Sequence, residues 1–208
     1  MKIYVENQIL EFENDKNEID EILSRIEEEA IKTSKIFNSL IIDDYEIFSG
    51  YYDYFLDNIQ SIERVVVILL THYELVNDIL SSTLDYLNRT PELIESLANN
   101  FYKSPEGKSW SDLNDLLEGI SWIISTFSSI DIDRSLHDVV ADHESWNLYS
   151  KEIISLSNII PDFEDALSNQ DSVSIADILS YEIKPKFNTM AEKLAELVSV
   201  EENINDLN

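Results

Sequence analysis

Arg64-Val65-Val66-Val67-Ile68-Leu69-Leu70-Thr71-His72-Tyr73-Glu74-Leu75 divides the chain. Its first half, within the run from Ile62 to Leu70, is the strongest strand signal in the sequence, rich in β-branched residues. Its second half begins a different rhythm. From about residue 73 the apolar residues recur at helical spacing and continue to do so. Leu75, Ile79, Leu80, Leu84 and Leu87 make one stripe, which Leu93, Ile94 and Leu97 continue beyond Pro91. The change of period predicts an α+β, mostly α fold. A small α+β module spans residues 1–70 and a helical bundle spans residues 71–208.

Upstream of the dividing stretch, Lys2-Ile3-Tyr4-Val5 and Gln8-Ile9-Leu10-Glu11-Phe12 flank Glu6-Asn7 as a β-hairpin signal. Ile19, Ile22, Leu23, Ile26 and Ala30 follow at helical spacing, with acids on the other face. Ile36 to Ile42 reads as a strand and Asp43-Asp44 as its turn. The order is that of a grasp-like ββαββ module, one helix on a mixed sheet, with Tyr45 to Phe55 in the loop before the last strand. Downstream, residues 103–109 read as a loop. Leu113 to Phe127 supplies the next apolar helix. A long helical segment then carries Leu136, Val139, Val140, His143, Trp146, Ile153 and Ile154. Pro161 restarts the helix, Asn169-Gln170-Asp171 is a turn, and Pro185 interrupts the last helix and frees the carbonyl of Tyr181. Pro91 and Pro161 each open a helix in a weak internal duplication. The whole fits an acidic bundle of about four to five helices.

The chain has 208 residues, 42 Asp and Glu against 14 Lys and Arg, and a formal net charge of −28. The acids are spread over its whole length. Such a surface repels nucleic acid and anionic lipid and favours a basic protein partner. Apolar residues make up 44% of the chain, enough for a sizeable core. With no Cys and three Gly, thiolate chemistry, Cys-zinc sites and glycine-rich phosphate loops are excluded. The longest apolar run, Val65 to Leu70, is far too short to span a bilayer, and the first residues do not read as a signal peptide. The expectation is a cytoplasmic protein that takes no cofactor and binds neither nucleic acid nor membrane, its oligomeric state left open.

Two constellations offer chemistry. Asp133, His137 and Glu144 fall at i, i+4 and i+11 of the long helical segment and would present one imidazole and two carboxylates to a divalent metal. The bland reading is a solvated helix face with an Asp133–His137 pair, and His143 turned to the core. The aromatic, acidic segment Tyr51, Tyr52, Asp53, Tyr54 and Phe55 would make contact anchors if exposed. It would otherwise be an interdomain seam. Trp110, Trp122 and Trp146 read as core or interhelix packing. Glu27-Glu28-Glu29 reads as solvated charge.

The stretch Ile175-Ala176-Asp177-Ile178-Leu179-Ser180-Tyr181-Glu182-Ile183-Lys184-Pro185 resembles the closing helix of an uncharacterised family of acidic bacterial proteins. Its members also begin with strands of the Met1-Lys2-Ile3-Tyr4-Val5 type and continue into acidic helices. The resemblance implies no activity and carries over no catalytic residue. In character the chain is similar to secretion or flagellar export chaperones.

The functional expectation is a non-enzymatic, chaperone- or adaptor-like interaction protein. Its acidic helical surfaces would bind a basic or amphipathic partner segment, through Tyr51, Tyr52, Tyr54, Phe55, Asp177, Tyr181 and Glu182. One alternative is an inhibitor or immunity-type protein that masks a basic nuclease or nucleic-acid-binding site. The other is a metal-dependent enzyme using the cluster at 133–144.

Overall fold

A computed structural model describes residues 1–138, 140 and 142–205. Val139, placed above on an apolar stripe, lies outside the described residues. The fold is α+β and mostly α, in two compact units, Met1–Leu75 and Val76–Asn208.

The first unit is built on a five-stranded mixed sheet. Its strands are β1 (Lys2–Val5), β2 (Gln8–Glu11), β3 (Ile36–Ile42), β4 (Tyr45–Ile47) and β5 (Arg64–Leu70), in the order β2-β1-β5-β3-β4. β1 and β5 run parallel and the other pairs antiparallel, so the arrangement is grasp-like. Helix α1 (Ile19–Lys32) packs on one face of the sheet. Its stripe Ile19, Ile22, Ile26 and Ala30 is buried against Ile3, Val5, Leu40, Ile42, Val65, Val67 and Leu69. β5 alternates buried and half-buried positions, as a strand with period two must.

β3 meets that core with the wrong parity. Phe37, Leu40 and Ile42 all pack inward, yet Phe37 and Leu40 are an odd number of residues apart. A bulge resolves the conflict. Phe37 pairs with Leu69 and Ser39 with Ile68, leaving Asn38 as the extra residue. Asp43 and Asp44 turn the chain with φ of 45° and 75°, a left-handed conformation that Asp tolerates better than most residues. The Asp43 carboxylate accepts from the backbone N–H of Arg64 at 2.8 Å and of Glu63 at 3.1 Å, fastening the turn to the start of β5.

Two elements stand where the sequence suggests a loop. Tyr45–Ile47 is the edge strand β4, and Tyr51–Asn58 is helix α2. Gly50 precedes α2 with φ of 68°, which suits a residue without Cβ. Phe55 and Ile59, one turn apart, are fully buried in the core of this unit. Phe55 is therefore a core residue and not a contact anchor. Glu29 is also corrected. It is covered, and its carboxylate pairs with Lys32 at 2.7 Å and Arg25 at 3.6 Å. The Lys32 hydrogen bond holds it below the usual carboxylate range.

The second unit holds α3 (His72–Lys103, from its second turn), α4 (Gly107–Ile132), α5 (Arg134–His137), α6 (His143–Ser157), α7 (Ile160–Ser168), α8 (Ser172–Ile178) and α9 (Lys184–Asn205). Pro91 lies inside α3 and opens nothing, which removes the basis for an internal duplication. Pro161 does stand at a helix start, in the first turn of α7. The long segment expected to carry Leu136 to Ile154 is two helices. Asp133 ends α4, and Asp142 caps α6 by accepting from the N–H groups of Glu144 and Ser145. Trp146, Tyr149, Ile153 and Leu156 of α6 are buried, as are Phe187, Met190 and Leu194 of α9, which packs against it. The Trp146 ring stacks on Phe127 at 5.0 Å and donates its indole N–H to Asp131 at 3.0 Å. Trp110 packs edge-on to Phe101, yet it and Trp122 are 37% and 40% exposed, so neither is a core residue. Among the described residues no helix is long and apolar enough to cross a membrane.

The placement of Phe55 has a direct consequence. Phe55→Ala should lower unfolding free energy by about 3–5 kcal/mol, while Tyr52→Ala on the outer side of α2 should stay within about 0.5 kcal/mol. Urea denaturation of the two variants measures the difference.

Candidate functional site

The α7–α8 hairpin gathers acids into one concavity. Phe163 and Ala166 of α7, and Ile175, Ala176 and Ile178 of α8, are buried. That burial turns the intervening acids outward. Gln170 makes the connecting turn with φ of 53°, and the Asp171 N–H donates to the Ala166 carbonyl at 3.0 Å. Asp171 then caps α8. Its carboxylate accepts from the Ser174 N–H at 3.1 Å and the Ser174 hydroxyl at 2.8 Å, and these bonds hold it below its usual pKa.

Beyond α8 the chain makes a π turn, Leu179–Ile183, in which the Lys184 N–H donates to the Leu179 carbonyl. Pro185 follows two residues after the turn. It has no N–H for the Tyr181 carbonyl, and the helix widens instead of stopping. In an α-helix, Glu182 would sit about 140° around from Asp177. The wider turn reduces that angle, and both side chains line the same groove.

The groove holds about 370 Å³ and is lined by Asp162, Asp165, Asp171, Asp177 and Glu182 together with Asn169 and Ser174. Among the described residues no basic side chain lines it. None of the five carboxylates makes an ion pair among the described residues. Asp177 accepts a hydrogen bond from the Tyr102 hydroxyl at 2.5 Å. That bond to a carboxylate, with partial desolvation, pushes the Tyr102 phenol up to about 12. Tyr181 is 73% exposed beside Glu182.

A family model described as a domain of unknown function, DUF8042, matches residues 78–193, more than half of the chain. The chain belongs to this family. A second model, the TP0873 N-terminal domain, matches residues 1–71. No curated protein and no solved structure matches the chain. Neither description assigns an activity, in keeping with the uncharacterised family that the sequence resembles. The DUF8042 match takes in the whole acidic groove.

Of the residues singled out in the sequence, Asp177 and Glu182 come together in this groove and Tyr181 stands beside them. Asp162, Asp165 and Asp171 were missed. The signal for them was present: from Glu152 to Ile183 the chain has seven acidic residues and no Lys, Arg or His. The aromatic set lies elsewhere, on α2. Tyr52 is exposed, Tyr54 packs partly on the core, and Tyr51 is half-buried. The Tyr51 ring meets Phe37 edge-on at 5.3 Å, and its hydroxyl donates to the Phe48 carbonyl at 2.6 Å.

The proposed metal ligands do not share a helix. Asp133 caps the end of α4, with its carboxylate accepting from the Ser135 N–H and hydroxyl. His137 ends α5, where its ring stacks on His143 at 4.7 Å. Glu144 lies in the first turn of α6. Among the described residues no group of three or more His, Cys, Asp or Glu could hold a metal ion. His143 is exposed and not turned to the core.

Asp177→Asn should return the Tyr102 phenol from about 12 toward the ordinary tyrosine value near 10, because the carboxylate acceptor is gone. Ultraviolet titration of the parent and the variant, with Tyr102→Phe to assign the signal, reads this shift.

Proposed function

We propose that this chain is a non-enzymatic, cytoplasmic interaction protein that captures a basic segment of a partner protein in the acidic groove of its second unit. The observation that carries the reading is the groove itself: five unpaired carboxylates and no basic side chain. Carboxylates gathered in a concavity repel one another and raise the local concentration of cationic groups. A lysine or arginine entering there relieves that repulsion. The exposed Tyr181 ring offers a flat apolar contact and a cation–π partner at the rim. A basic amphipathic helix fits this chemistry, with its apolar face on Tyr181 and its cationic face in the groove.

A second reading is a charge-mimicking inhibitor of a basic nuclease or nucleic-acid-binding site. It is favoured by the spread of acids over both units, well beyond the groove. The two readings part at the groove. A segment-capturing protein depends on those five residues, whereas a charge mimic depends on the summed field of the whole body.

Fluorescence anisotropy with a Lys/Arg-rich amphipathic peptide tests the first reading, with a same-length acidic peptide as control. The basic peptide should bind and weaken as salt rises. Neutralising the groove with Asp162→Asn, Asp165→Asn and Glu182→Gln together should weaken it by about tenfold or more, or about 1.4 kcal/mol. Binding that this triple variant leaves unchanged would put recognition outside the groove.

A further inference from the structure

We propose that the cleft where α3 meets α4 is a binding site for a small amphiphile, a single carboxylate on a short apolar chain. Aromatic residues apart, five polar or charged side chains are buried among the described residues, and four of them have partners. Glu29 pairs with Lys32, Ser39 donates to Glu46, and Thr83 and Thr90 donate back to the carbonyls of Ile79 and Tyr86. Ser109 is the fifth. It is 6% exposed, and its hydroxyl makes no hydrogen bond with any described residue. Its oxygen is not sealed in the core, where Asn77 alone among the described residues leaves a side-chain oxygen without a partner. It opens on a cleft of about 690 Å³ that Ser109 lines with Asn100, Lys103, Ser104 and Lys108.

Other donors at this end of the cleft also lack an acceptor. α4 begins at Gly107, and Glu106 before it gives no side-chain cap. The N–H groups of Ser109 and Trp110 donate to the Glu106 carbonyl at 2.9 and 3.3 Å. Those of Gly107 and Lys108 find no acceptor among the described residues. No acid stands in the first turn to answer the positive end of the helix. Lys103 forms no ion pair among the described residues. Two N–H groups, a covered hydroxyl and an ammonium are the donor set that a carboxylate satisfies.

The neighbouring space supplies room for the chain of the ligand. A second pocket, of about 220 Å³, shares Leu93 and Lys108 with the first and runs over Ile94, Leu97 and Leu116. Those last three are buried and make an apolar floor, while Leu93, 65% exposed, makes a wall. Charge limits the head to one carboxylate. Glu106, Asp112 and Asp115 border the same space, and Lys108 already answers Asp112 at 2.9 Å. In a body of net charge −28 a polyanion is repelled, whereas Lys103 balances a single negative charge beside it.

Titration of the isotope-labelled full chain with octanoate, followed through its amide resonances, tests the proposal. Gly107 is one of three glycines, so its signal stands apart. It should move saturably together with Lys108 and Ser109, while Gly50 and Gly119 stay in place. Affinity should rise about three- to fourfold per added methylene from hexanoate to decanoate. Ser109→Ala should weaken octanoate binding about tenfold. Lys103→Gln and Leu93→Ser, at exposed positions, should weaken it with circular dichroism unchanged. The cleft shares no residue with the acidic groove, so this proposal and capture of a basic segment fail separately. No saturable movement at Gly107, or an octanoate affinity that all three variants leave unchanged, overturns the proposal. Octylammonium moving the same amides as strongly as octanoate assigns the cleft to cations and overturns it as well.

Discussion

A shortage of positive charge governs this molecule. With 42 acidic residues and 14 basic ones, most carboxylates cannot find an ion-pair partner. Burying an unpaired carboxylate is costly, so the core is drawn almost wholly from Ile, Leu, Val and aromatic residues. Many of the Lys and Arg residues pair locally along one helix, as Arg25, Lys108 and Lys193 do, but a few hold two parts of the chain together. Lys184 pairs with Glu95 across 89 residues of sequence, Lys186 with Glu152, and Lys35 with Glu6. The covered Glu29 receives both Lys32 and Arg25. Arg64 and Arg89 sit over the rings of Tyr4 and Tyr86. Where no base is supplied, carboxylates cap helices, as Asp142 and Asp171 do, or stand unpaired. The groove between α7 and α8 is a concave place where several acids without an ion-pair partner stand together.

That constraint separates two kinds of surface. One is acidic and attracts cationic groups at long range. The other, on α4, carries no charge over twelve residues and is built from Ser, Ile and Trp.

Much of the architecture was legible because it rests on periodicity. The β-branched run Val65 to Leu70 reads as a strand by propensity, and the stripe Ile19, Ile22, Ile26 and Ala30 and the helical rhythm after residue 73 each report a buried face directly. β4 and α2 were illegible for a local reason. Tyr45–Ile47 is too short for alternation to show. In Tyr51–Asn58 only Phe55 is fully buried, so exposed aromatics hide the stripe. The break before α6 was hidden because Asp142 acts through its cap bonds, while the apolar spacing runs on across it. Pro91 misled in the opposite direction, since packing carries α3 straight through a residue that usually ends a helix. Asp177, Tyr181 and Glu182 were visible as an acidic, aromatic patch. Their joining with Asp162, Asp165 and Asp171 needed the turn at Gln170 and the π turn before Pro185.

The sequence alone determined the charge of this protein, its exclusions and its division into a sheet-bearing and a helical part. Composition and periodicity are properties of the covalent chain, and neither depends on how the elements meet. Tertiary structure decided which acids share a groove, that Phe55 belongs to the core, and that Asp133, His137 and Glu144 stand on three different elements. Those outcomes turn on a few local features: the left-handed Gln170 and the π turn for the groove, Gly50 opening α2 for Phe55, and the end of α4 at Asp133 with the Asp142 cap for the three separated residues. Each changes which face the residues just after it present. No local pattern records such a change, because its cost is met by packing contacts made elsewhere in the fold.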